Sequence, residues 1–223
     1  MSSQAFNDSK PELRNKEESK SKDEQEIDLG IILELGSIGA GHVATSLSDV
    51  LQQPISIEVP RIHNVEAHLI PKFYNKHEVP TMGIYLQLTE SYGCDILLML
   101  ELEEAKKIAA MMTFASSIEE LDPTMEASAI NELANIVIGS FLTAISDFIG
   151  MTLLPTTPQS VVDSFDAIID GFLIKQSMLS ENAMVFETQF KRQDNDAKSI
   201  LMIFPSNELK DLLIQKSKTL IAP

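Results

Sequence analysis

The chain has 223 residues, 44% of them apolar, one cysteine and a formal net charge of −16. That length supports one substantial hydrophobic core or two small ones, and so acidic a body repels phosphate backbones and anionic lipid, which excludes nucleic acid and membrane surfaces as expected partners. One thiol makes no disulfide framework, and no apolar run has the length of a membrane span or the make-up of a secretory leader, so a cytoplasmic address is expected.

The first 26 residues carry five basic and seven acidic side chains, so −14 of the charge belongs to residues 27–223. Residues 1–24, dense in Lys, Glu, Ser and Asp, are expected to be a disordered charged tail, with a folded domain over 25–223. From Glu26, EIDLGIILELGSIGAGHVATSLSDVLQQ has helical periodicity and stops at Pro54, after which PISIEVP reads as a strand. TMGIYLQLTE and CDILLMLE predict a hairpin across Ser91–Gly93, and LEEAKKIAAMMTF predicts an amphipathic helix. Asp122 and Pro123 supply a cap and a first-turn proline for a long helix over Pro123–Ile149. MTLLPTTP, AIIDGFLIKQ, AMVFETQF and KSILMIFP then read as strands, and SNELKDLLIQKSKTLI as a terminal helix.

The second half repeats the first at an offset of 98 residues. Glu34 aligns with Glu132, Leu35 with Leu133, Ile38 with Ile136 and Gly41 with Gly139. Thr45, Ser48, Asp49 and Pro60 align with Thr143, Ser146, Asp147 and Pro158. Eight identities in 27 ungapped positions stand well above the roughly two expected from average composition. The expected fold is α+β, an internally duplicated helix–strands–helix unit. Repeat one covers about 26–116 and repeat two about 122–218, with two long helices on antiparallel sheet related by a pseudo-twofold axis. Such an internal pseudo-dimer is expected to be a monomer.

Within the first long helix, Gly39, Gly41 and Ala44 satisfy a dinucleotide-binding fingerprint, and Glu58 lies where a ribose-binding carboxylate is expected. The aligned segment NELANIVIGSFL keeps the register without those glycines, so close packing of two helices is the preferred explanation. Cys94 falls in an apolar strand and reads as buried. His42, His63, His68 and His77 have no metal-ligand spacing.

One polar line has no evident structural use. Ser128, Glu132 and Asn135, at i, i+4 and i+7 in an otherwise apolar run, fall within a stripe of roughly 60° on one helix face. A carboxylate and a carboxamide one turn apart offer a two-point grip on another molecule. Pro158 follows Asn135 by 23 residues, and Pro60 follows Ser37 by the same interval. This arrangement, with the opening helix ELGSIGAGHVATSLS, resembles the CheC-type chemotaxis phosphatases (CheC, CheX and the phosphatase part of FliY) over roughly residues 26–218. The first copy departs from the family pattern, because Gly30 stands in place of Asp or Ser and Ser37 in place of Asn.

The resemblance implies hydrolysis of the phosphoaspartate on a CheY-like response regulator. Glu132 and Asn135 would be catalytic, Ser128 and Pro158 would contact the partner, and Glu34 with Ser37 and Pro60 would form a degenerate second site. It implies no cofactor of the chain's own, a magnesium ion carried by the regulator, and a CheD-like deamidase as a further partner. The alternative is a non-catalytic adaptor that binds a regulator, a CheD-like protein or the flagellar switch; a nucleotide-binding domain ranks below it.

Overall fold

The computed structural model describes residues 12–58, 61–74, 78–88, 93–176, 182–191 and 196–221. Helix α1 (Glu12–Leu51) leads to the short strand β1 (Ser56–Ile57) and to β2 (Arg61–Glu66); a 3-10 turn at Ala67–Leu69 then opens the one-turn α2 (Ile70–Phe73). Next come β3 (Pro80–Gln87), β4 (Cys94–Glu101), α3 (Leu102–Met112) and α4 (Pro123–Ile149). The last described elements are β5 (Gln159–Ser164), α5 (Phe165–Gln176), β6 (Asn182–Lys191), β7 (Asp196–Pro205) and α6 (Asn207–Ile221).

The strands form one antiparallel sheet in the order β1-β6-β7-β4-β3-β5, with β2 also paired to β6. The fold is therefore α+β, as expected. Pairing is exchanged between the halves: β5 of the second closes on β3 of the first, while β1 and β2 of the first lie against β6. The two halves of the chain are thereby tied into a single sheet.

Strand β4 shows why its sequence is almost continuously apolar. Ile96, Leu98 and Leu100 enter a core with Leu35, Leu47, Ile130, Phe141 and Leu209 from the long helices and α6. Leu97 and Met99, on the opposite face, enter a second core with Phe165, Ile169 and Phe172 of α5. A strand covered on both faces has no polar side to show.

Three expectations need correction. AIIDGFLIKQ is not a strand but most of α5, whose buried Phe165, Ile168, Ile169 and Phe172 recur at i, i+3, i+4 and i+7. Helical spacing outweighs its β-branched content. MTLLPTTP is not a strand either. Residues 151–158 are irregular apart from a bridge between Leu88 and Pro155, since Pro155 and Pro158 each remove a ladder donor. PISIEVP shrinks to Ser56–Ile57, and Pro60 lies outside the described residues. At the other end, α1 extends back to Glu12, into the stretch expected to be tail.

Helices α1 and α4 pack on each other. A Cβ on Gly39 would stand 2.8 Å from the Phe141 ring and 3.1 Å from its Cα, so only glycine admits that approach. Farther along α1, Val50 shares a groove with Thr124–Glu132, which makes the two helices antiparallel. The glycine string lies wholly inside α1, so it is no phosphate-binding turn. By length and composition α4 is apolar enough to cross a membrane, but its apolar stripe is consumed by the core.

Candidate functional site

The candidate site is built on α4. Its start is fixed by Asp122, whose Oδ1 accepts the Thr124 and Met125 backbone N–H groups at 2.9 and 3.2 Å, with Pro123 in the first turn. Its end is fixed by Gly150 in the left-handed conformation (φ 71°), whose N–H donates to the Ser146 carbonyl. Between these caps Ile130, Leu133, Ala134, Val137, Ile138 and Phe141 are buried, which prevents the helix from rotating. Ser128, Glu132 and Asn135 consequently point to solvent, and all three are exposed. Among the described residues, none of these side chains takes a hydrogen bond or an ion pair. A carboxylate and a carboxamide on a rigid, twice-capped helix are thus free to engage another molecule.

The structure adds a surface that the sequence did not disclose. Ser128 and Glu132 form one side of an open groove of about 440 Å³, together with Thr124, Met125 and Ala129. The other side is Val50 at the end of α1 and Met112 and Thr113 at the end of α3. Among the described residues, Glu132 is the one charged group in its lining. Val50 and Met112 are distant from the stripe in sequence, and no local pattern marks them; only the antiparallel packing of the helices brings them there.

The remaining predicted residues are placed differently. Glu34 is exposed on α1, but Ser37 is half-buried and its hydroxyl donates to the Leu33 carbonyl at 2.9 Å. Gly30 is exposed on the same helix and Pro60 lies outside the described residues. Pro158 is half-buried at the entrance to β5, on the chain leaving α4 rather than on the stripe. Cys94 is buried, and that burial, with the neighbouring Asp95 carboxylate, pushes its thiol far above the usual range. It is no nucleophile at neutral pH.

Comparison with known proteins points the same way. The sequence profile of the CheC-like family matches residues 125–162, which contain Ser128, Glu132, Asn135 and Pro158. Over 174 residues the chain is 29% identical to the CheY-P phosphatase CheC of Bacillus subtilis, covering 77% of this chain and 83% of that one. It is 24% identical to the flagellar motor switch phosphatase FliY of the same organism across 86% of its own length, and it spans half of that relative. In fold it is similar to the crystal structure of Thermotoga maritima FliY, with a TM-score of 0.69 at 22% identity, covering 86% of this chain and 96% of that one.

Proposed function

We propose that the chain, which is similar to the CheC-type family, hydrolyses the phosphoaspartate of a CheY-like response regulator through Glu132 and Asn135. The observation that carries this reading is the pairing of those two side chains, exposed and unpartnered, one turn apart on a helix that cannot rotate.

The chemistry asks little of this chain. An acyl phosphate is already activated, so water attacks phosphorus, the bond to the aspartyl oxygen breaks, and free carboxylate and inorganic phosphate leave. Catalysis then rests on positioning and charge compensation. Asn135 enters the regulator's pocket, where its amide both donates and accepts and so orients the attacking water. Glu132 pairs with a lysine of the regulator and sets the helix in register. Ser128 makes a flanking contact, and the magnesium ion required for phosphoryl chemistry belongs to the regulator. Pro158 shapes the chain leaving α4. The first site, with Ser37 bonded to its own helix, can touch a regulator without placing water.

The test is single-turnover loss of phosphate from a CheY-type regulator of the same organism. The wild-type chain accelerates it, and Asn135→Ala loses about two orders of magnitude of that acceleration while remaining folded by circular dichroism. Undiminished activity in Asn135→Ala would overturn the assignment. Tight binding without any acceleration by the wild type would leave an adaptor instead.

A further inference from the structure

Helix α3 ends against its own local chemistry. The Ala115 N–H donates to the Ala110 carbonyl at 2.9 Å and the Phe114 N–H to the Met111 carbonyl at 3.2 Å. That pair of bonds is the Schellman termination, which places the residue after the cap in the left-handed region and favours glycine there. Here the position is held by Phe114, with φ 56°. A bulky aromatic in that conformation is strained, and among the described residues no packing compensates for it, because Phe114 is 75% exposed. The same kind of termination at the end of α4 uses Gly150.

Phe114 directly follows Met112 and Thr113, two lining residues of the groove whose other side carries Ser128 and Glu132. Across the groove Met125 is 51% exposed, and Val50 is also exposed. An apolar shelf thus lies beside the catalytic stripe, with one carboxylate and no cation among the described lining residues. A strained aromatic held in solvent beside a site is the pattern of a binding anchor.

We propose that Phe114, with Met125 and Val50, forms the docking shelf for the phosphorylated regulator, receiving an apolar side chain that lies beside the lysine paired with Glu132. The proposal rests on the phosphatase reading for the identity of its occupant. The shelf supplies affinity and Asn135 supplies chemistry, so the two are separable in one protein.

The experiment titrates the full-length chain into a CheY-type regulator of the same organism held in its active form by beryllofluoride and magnesium. Phe114→Gly weakens Kd by about tenfold, and Met125→Ala weakens it by less. The loss in the phosphatase assay falls on KM. Glycine relieves the left-handed strain, so Phe114→Gly melts no lower than wild type, and lost binding is not a folding defect. Affinities within twofold of wild type for both variants would overturn the shelf. A wild-type chain that shows the Phe114 dependence but no hydrolysis would overturn the phosphatase reading and keep the shelf. No binding by wild type would overturn both.

Discussion

Where α1 and α4 end, matched residues do matched work. The Ser48 Oγ accepts the Ile55 N–H at 2.9 Å, and the Ser146 Oγ accepts the Leu153 N–H at 3.2 Å. Thr45 and Thr143 each donate to the glycine carbonyl one turn earlier, Gly41 and Gly139. Both helices turn out through a left-handed residue, Gln52 in one and Gly150 in the other. On their solvent faces the helices part company: α4 presents Glu132 and Asn135, whereas α1 presents Glu34 and a serine bonded to its own backbone. Several of the repeat's identities therefore preserve the way each helix leaves the core. The solvent-facing stripes were free to diverge, because exposed side chains contribute little to packing.

The sharpest way to break this comparison is to remove the same carboxylate from each helix. Glu132→Ala is expected to lower regulator affinity by tenfold or more, the usual order for removing one partner of a docked charge pair. Glu34→Ala, measured in the same titration and phosphatase assay, is expected to change either value by less than about twofold. Equal losses would mean that site one works without a carboxamide, and the water-orienting role proposed for Asn135 would fall.

A second contrast tests the packing that holds both stripes in place. Gly39→Ala forces a methyl against the Phe141 ring and backbone, and is expected to destabilise by about 1–3 kcal/mol. Gly41→Ala meets nothing within 4 Å, and should stabilise by up to about 1 kcal/mol through helix propensity. Urea midpoints of the two variants should move in opposite directions. If both fell, α1 and α4 would be packed through a different face.

The sequence was legible where its information is local. The start of α4 was readable because Asp122 and Pro123 act within one turn. Strands β3, β4, β6 and β7 were readable from short apolar runs bounded by turns. Helix α5 was misread because a segment buried on one side, rich in isoleucine and phenylalanine, satisfies a strand template until its i, i+3, i+4, i+7 spacing is counted. The Glu132–Asn135 stripe was visible as a polar line in an apolar helix. The groove was not, since Val50 and Met112 reach it only through tertiary packing. Phe114 carried a readable clue in principle: α3 ends with no glycine to terminate it.

The matched exits supply a third test. Ser48→Ala and Ser146→Ala each remove the acceptor of one backbone N–H, Ile55 and Leu153 respectively. Each is expected to cost about 1 kcal/mol, and the two losses should agree within about 0.5 kcal/mol and add in the double variant. A loss confined to Ser146 would show that only the second helix depends on its exit.

The smallest effect concerns restoring what α1 lacks. Ser37→Asn returns a carboxamide three residues after Glu34, on a helix already aligned by Gly39. It also releases the Leu33 carbonyl from its 2.9 Å bond to the Ser37 hydroxyl, a cost small enough for an exposed helix surface to absorb through water. Two equal, independent sites would raise the phosphatase rate at most about twofold. The expected gain is smaller, because Gly30 stands where the family pattern has Asp or Ser, and because Ser37 is half-buried where Asn135 is exposed. The measurement is the single-turnover rate of Ser37→Asn in an Asn135→Ala background, where any activity must come from α1. A rate above that of Asn135→Ala alone would show that the first site lost one side chain and kept its geometry. A rate equal to it would show that the helix surface around Glu34 had moved out of register as well, so that the carboxamide alone does not make the site.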